Sequence, residues 1–325
     1  VMLFGVIGVG VHGNSFLLGE LVKVNFDGSI GKFLFVAFFI AFAIKAPMVP
    51  AHTWLPDAAE QATPGASTLL VGLLDKIGTL GMIRICLGLF PQASQWATPF
   101  VLVLAVISVL WGATMAVASK DLMRLVSYTS VSHFGFMIIG IFAVTTTSLT
   151  GSIFYMFNHG FSTAALFLVL GFLVKRRGSA QVDAFGGVQK TAPVLAGMFL
   201  FAGLATMSLP GISNFIGEFM VLAGAWSRHP VYVAVATLGM VLGAVYILLT
   251  YKRTMTGPLT QATKEHVTTD LTGLEKAALT PLVILLLVFG FFPRPMLHVI
   301  EPVAHQTMSI VGVTDPAPAA EEGVK

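Results

Sequence analysis

This sequence reads as an all-α polytopic membrane protein, and three features carry that reading. Its 325 residues are 56% hydrophobic and only 10% charged, with a mean hydropathy of +0.87, whereas soluble domains carry roughly 25% charged residues. Apolar runs of about 20 residues recur, the length that crosses a hydrocarbon core of roughly 30 Å. The runs are apolar on every side, without the alternation of barrel strands. Backbone in lipid must satisfy its own hydrogen bonds, which leaves helices.

Nine spans follow in order, at 1–18, 31–52, 66–89, 98–118, 124–145, 150–174, 193–227, 231–251 and 276–297. The first opens with Val1 inside an apolar run and has no basic n-region, so it is not a signal peptide. That start predicts that earlier spans are missing. The turn-rich Asn25-Phe26-Asp27-Gly28-Ser29-Ile30-Gly31 separates it from the second span, and the proline-bounded segments 56–64 and 91–98 bracket the third. Lys175-Arg176-Arg177-Gly178 closes the sixth, as a topology determinant or an anionic-lipid contact. The polar loop 252–276, the longest, is too short to fold as a domain.

Two spans are interrupted. Residues 33–44 run into Lys45-Ala46-Pro47-Met48-Val49-Pro50, and residues 195–208 run into Leu209-Pro210-Gly211, with Glu218 two turns further on. Pro47, Pro50, Pro210 and Gly211 are the helix-breaking positions. The interrupted spans lie five apart and so run in opposite directions. Broken helices at corresponding places in two inverted halves point to an ion site in a transporter. The chain then divides into the C-terminal part of a first repeat at 1–92, a second repeat at 93–257, and a terminal span with an extramembrane tail at 258–325. A five-helix unit with its broken helix in fourth place would begin two spans before residue 1.

Other chemistries find little support. The single cysteine, Cys86, sits in no CxxC, and neither GxGxxG nor GxxxxGK[ST] occurs, so no metal, iron–sulfur or nucleotide cofactor is expected in this chain. The net charge of +3 is spread over loops, and a nucleic-acid partner is not expected. Alternating spans put Lys120, Arg124, Lys175, Arg176, Arg177, Lys190, Lys252, Arg253, Lys264 and Lys276 on one side. By the positive-inside rule that side is cytoplasmic and the C-terminus lies outside.

Lys45, Asp75, Lys76 and Glu218 are the formal charges well inside spans, joined by His133 and His159. An ionisable side chain at bilayer depth costs at least ~2.5–3.5 kcal/mol, so it faces protein or water and function is its default reading. Lys45 stands where the first broken helix stops; snorkelling to the interface is the competing reading. Lys76 lies mid-span with no route to the surface. Asp75 points about 100° away from it, so the two do not face each other; Asp75 either tunes Lys76 or pairs with a neighbouring subunit. Glu218 lies too deep to cap its half-helix, with Asn214 one turn earlier on the same face. His133 and His159, among Ser, Thr, Tyr and Asn, suit a hydrated proton line, although a lone buried histidine is more often a packing residue. A buried lysine and a buried glutamate in the two breaks identify the ion as a proton.

Five motifs then occur in order: Lys45-Ala-Pro-Met-Val-Pro-Ala-His52-Thr-Trp54-Leu-Pro-Asp57-Ala, Leu73-Leu-Asp75-Lys76-Ile-Gly, Arg124-Leu-Val-Ser-Tyr-Thr-Ser-Val-Ser-His133-Phe-Gly, Asn158-His159-Gly160 and Gly217-Glu218-Phe219. Over about residues 30–255 the chain resembles the antiporter-like proton-translocating subunits of respiratory complex I (NADH:quinone oxidoreductase). It is nearest the M-type, which carries Glu in the second broken helix. The resemblance implies an antiporter-like inverted-repeat bundle of fourteen spans, five of them before residue 1. It implies proton-relay roles for Lys45, Lys76, His133, His159 and Glu218, with His52, Asp57 and Asp75 as accessory positions. Lys45 would exchange protons with a glutamate of an earlier span. It further implies NADH, FMN, iron–sulfur clusters and quinone in partner subunits, neighbouring antiporter-like subunits and lipids as partners, and a bacterial inner membrane. A subunit of a multi-subunit cation/proton antiporter, or of a related membrane-bound hydrogenase, is the alternative. The chain departs from the family at Ala58-Ala59, where a histidine usually follows, and at Met123, where a lysine often stands.

Overall fold

In the computed structural model, which describes residues 1–315, every regular element is a helix. They run α1 Met2–Gly13, α2 Leu18–Leu21, α3 Gly28–Lys45, α4 Trp54–Gln61, α5 Pro64–Leu69, α6 Lys76–Gly81, α7 Pro91–Ala118, α8 Leu122–Phe142, α9 Thr146–Arg177, α10 Pro193–Thr206, α11 Ser213–Trp226, α12 Pro230–Thr254, α13 Gln261–His266, α14 Gly273–Phe291 and α15 Arg294–Val311. The helices α3, α7, α8, α9, α12 and α14 are long and apolar enough to cross a membrane singly. The chain is an integral, multi-pass, all-helical membrane protein.

The centre is α8. It is buried along its whole apolar length despite Ser127, Thr129, Ser130 and Ser132, because each hydroxyl donates to a helix carbonyl: Ser127 to Met123, Thr129 and Ser130 to Val126, and Ser132 to Val109 of α7. Such bonds remove the cost of burying a hydroxyl. Gly135 lets α7 close in, since a Cβ there would lie 2.7 Å from the Ala105 carbonyl oxygen. The helices α7 and α9 flank α8, and α11 packs against α9.

Both interruptions are present. After α3 the chain turns at Ala46–Thr53, where the Trp54 indole donates to the Ile44 carbonyl at 2.8 Å and Ser108 Oγ accepts from the Val49 amide at 2.9 Å. Between α10 and α11 the chain turns at Met207–Ile212. Gly211 takes φ +94°, the left-handed region that favours glycine, and Gly290 of α14 packs against its carbonyl.

Three expectations are corrected. The third span is not one regular helix: wide π-turns at Leu70–Leu74 and Met82–Leu87 flank α6. The first span shrinks to the 12 residues of α1. The ninth stops at Phe291, and Pro293 starts the separate helix α15, which buries only one face through Ile300, Ala304, Thr307, Met308 and Val311. Arg176, within the basic stretch that closes the sixth span, is also engaged inside the chain. Its guanidinium forks onto Glu275 at 2.8 and 2.6 Å and also donates to the carbonyls of Phe172, Thr269 and Asp270.

Hydrogen bonds define the bundle's two ends. At one, 120–122 meets 180–182, 187–189 meets 255–256, and Asp270 caps the start of α10. At the other, Gln95, Thr146 and Arg228 bond to Val311, Asp315 and Thr314. The basic residues grouped by alternate crossing fall at the first end. The tail at 316–325 lies outside the described residues.

Candidate functional site

The third span carries the site, and two glycines place it. A Cβ on Gly78 would meet the Ala46 amide nitrogen at 2.5 Å and the Phe42 carbonyl oxygen at 2.8 Å, so its absence lets α6 press onto the end of α3. On another face Gly72 and Gly160 bring the span against α9, with a Cβ on Gly160 only 2.8 Å from the Gly72 carbonyl oxygen. Between these contacts the π-turn Leu70–Leu74 ends in a bond from the Asp75 amide to the Leu70 carbonyl, five residues back. Such bulges are frequent at functional sites.

Asp75 and Lys76 therefore face different partners. Asp75 is fully buried, and its Oδ1 accepts from Lys45 Nζ at 3.2 Å. Lys76 Nζ donates to the Val71 carbonyl at 2.5 Å and lies 2.8 Å from His159 Nδ1. The sequence left Asp75 between tuning Lys76 and pairing outside the chain; the structure pairs it inside the chain with Lys45. Lys76 was also expected to have no route outward. It instead lines a 430 Å³ crevice with Thr68, Gly72, Gly160 and Ala164, because the small residues that let the helices approach leave a groove beside them.

His159, wholly buried, continues the line. Its Nε2 lies 3.1 Å from Thr163 Oγ1, and its ring meets His133 edge-on at 5.1 Å between centroids. With Lys76 as the ammonium donor, His159 Nδ1 accepts and Nε2–H donates to Thr163; the tautomer follows from this network. His133 Nε2 lies 3.3 Å from the Tyr246 hydroxyl. His133, Tyr246 and Glu218 then share a small void between α8, α11, α12 and the second break, with room for about one water.

Glu218 is 3% exposed and sits opposite the second break. Its Oε2 accepts from Ser208 Oγ, and from the Tyr155 hydroxyl at 3.4 Å. Ser208 adopts φ +57°, so the break itself turns this hydroxyl toward the carboxylate. Among the described residues no basic side chain pairs with Glu218. Asn214 does not join it; its amide donates to Ser162 Oγ at 2.7 Å, tying α11 to α9.

Thus Lys45 with Asp75, and Lys76 with His159, His133 and Glu218, form two adjoining groups, part-exposed at Lys45 and Lys76 and buried from His159 to Glu218. The other accessory positions lie apart from it. His52 is buried beside the first break, accepting from the Trp111 indole at 3.0 Å. Asp57 is exposed and, with Glu60, holds Arg124 at 2.7 Å. Tyr155, Tyr246, Ser208 and Thr163 were missed in the sequence, because hydroxyl-bearing residues are common in spans and only their convergence on ionisable groups singles them out.

Residues 1–243 match the family described as "NADH:quinone oxidoreductase/Mrp antiporter, TM". NADH-quinone oxidoreductase subunit M of Mycobacterium tuberculosis is 46% identical over all of this chain and 60% of its own length. The Rickettsia prowazekii subunit M is 42% identical over 82% of this chain and 54% of its own. The chain thus spans less than two thirds of the length of these curated relatives. A chain of respiratory complex I from Thermus thermophilus superposes with TM-score 0.88 at 32% identity, over 96% of this chain and 66% of that one. A chain of the Mrp complex from Dietzia shares the fold, with TM-score 0.84 at 21% identity over 95% of this chain and 67% of that one. By sequence and by fold, this chain belongs to the membrane-spanning family of NADH:quinone oxidoreductase and Mrp antiporter subunits.

Proposed function

We propose that this chain carries the proton path of an M-type membrane subunit of NADH:quinone oxidoreductase. One observation bears most of the weight: a line of proton-exchanging groups runs from Lys76, in contact with His159 at 2.8 Å, through the edge-on His133 to Glu218. Lys76 and His159 are directly hydrogen-bonded, a void of about one water adjoins His133 and Glu218, and passage between the two histidines requires one imidazole to rotate until ring nitrogens come within hydrogen-bond reach. The Ser208 and Tyr155 hydroxyls steady Glu218 without compensating a full charge, so it is free to take up and release a proton as its neighbours change.

In this reading Lys76 gives its proton to His159, His159 and His133 hand it along, and Glu218 receives it. Charge shifted by quinone reduction in partner subunits, which would hold the NADH, FMN, iron–sulfur and quinone sites, drives the cycle. The basic end of the bundle is the cytoplasmic side of a bacterial inner membrane, and protons leave at the opposite face, where the C-terminus lies. The repeat division at residues 92/93 belongs to the same proposal, as do neighbouring antiporter-like subunits and lipids as partners. Identity of 46% to subunit M chains against 21% to the Mrp chain favours this reading over a cation/proton antiporter.

The test is to tag the full-length gene product, extract it in mild detergent and assay the purified assembly. Co-eluting, inhibitor-sensitive NADH:quinone reductase activity is the expected result. Elution with membrane subunits but without redox activity, together with sodium-dependent proton flux, would transfer the assignment to a cation/proton antiporter.

A further inference from the structure

Asp75 is a buried carboxylate that pairs with Lys45 and directly precedes Lys76 in the chain. Its Oδ1 holds Lys45 at 3.2 Å across the first break. It precedes Lys76 directly, and the charges of Asp75 and Lys76 lie within Coulombic reach of each other. Its second oxygen, Oδ2, is buried and has no hydrogen-bond partner among the described residues. A carboxylate that served only to neutralise Lys45 would be expected to use both oxygens, because an unpaired buried lone pair is costly. The backbone is also shaped around this residue: the π-turn sets its direction, and Gly78, three residues on, seats it against the end of α3. Of the accessory positions, Asp75 is the one paired with Lys45 and adjacent to Lys76; His52 is engaged with Trp111, and Asp57 is exposed and engaged with Arg124.

We propose that Asp75 is itself a proton-carrying member of the relay, passing protons between Lys45 and Lys76. The proposal rests on the proton-path reading above and deepens it. In the step, the Lys45 ammonium gives a proton along its hydrogen bond to the Asp75 carboxylate, converting the ion pair into an amine and a carboxylic acid. The acid, its carboxyl turned about Cβ–Cγ so that the protonated Oδ1 takes the place of Oδ2, delivers the proton directly or through one water to a Lys76 amine that has lost its own to His159. Asp75 returns to carboxylate, and Lys45 is reprotonated from the aqueous side through its part-exposed end. No electron moves, and each proton is accounted for.

The experiment uses the assembled complex containing the full-length subunit, reconstituted into liposomes, and compares protons translocated per NADH oxidised. Asp75→Asn, which keeps size and an acceptor for Lys45 but cannot carry a proton, is expected to lower that ratio, and Asp75→Glu to restore most of it. The infrared difference spectrum between oxidised and reduced complex should lose a carboxyl band in Asp75→Asn. Should Asp75→Asn fail to assemble because Lys45 is stranded, the Lys45→Ala/Asp75→Asn pair removes both charges and is expected to assemble and still pump poorly. A wild-type ratio in Asp75→Asn or in the pair, with the carboxyl bands unchanged, overturns the proposal. Lys76→Ala measured in parallel separates the two claims: if it too pumps normally, the proton-path reading has failed, whereas if it alone is defective, only the role of Asp75 has.

Discussion

At the first break Lys45 ends α3 and meets Asp75 at 3.2 Å, charge against charge, with the lysine side chain 35% exposed. At the second break Glu218 is enclosed and held by hydroxyls alone, those of Ser208 and Tyr155. The interruptions after α3 and after α10 differ in kind in their electrostatics. An ion pair fixes both partners, and removing one strands the other. A carboxylate on hydroxyls can gain or lose a proton while its partners merely rotate. The first break thus rests as a charge pair, and the second as a carboxyl held by neutral hydroxyls.

The contrast breaks most visibly at Lys45. Lys45→Ala leaves Asp75 buried without its cation, which costs about 3 kcal/mol, the low end for a buried pair because the lysine is partly exposed. Thermal inactivation of the solubilised complex should report that loss, and adding Asp75→Asn should recover much of it. Gly78→Ala comes next: its new methyl would meet backbone of α3 at 2.5 Å, and forcing the helices apart costs about 1–3 kcal/mol. Gly197 of α10, with open space around it, is the control; Gly197→Ala should be neutral or gain up to ~1 kcal/mol. The smallest effect on stability falls at the second break. Ser208→Ala deletes one hydroxyl from a two-hydroxyl cage, worth about 1 kcal/mol, while the rate of proton transfer changes more than the melting point does. Equal thermal losses in Lys45→Ala and Ser208→Ala would remove the distinction between the two sites.

The sequence exposed the breaks because proline and charge in an apolar run are rare and physically costly. Lys45, Lys76, Glu218 and the two histidines stood out for the same reason, and the structure brings them into two adjoining groups. Asp75 could be seen but not interpreted: a helix read at a constant 100° per residue gives its angle to Lys76 without saying what lies there. The π-turn that directs it has no clear sequence signature, and its partner lies 30 residues away. Tyr155, Tyr246 and Ser208 were hidden by their ordinariness. The amphipathic α15 was absorbed into the last span and tail because Pro293, a helix start, was read as part of a continuing apolar run.

The central claim, that protons cross this chain through the Lys–His–Glu line, is tested most directly by proton translocation in proteoliposomes. The reconstituted full-length complex would carry Glu218→Gln or Lys76→Ala. Glu218→Gln keeps shape and an acceptor for Ser208 and removes only the exchangeable proton. Both variants are expected to lose most proton translocation per NADH oxidised while remaining assembled. Translocation at the wild-type ratio in both would contradict the account.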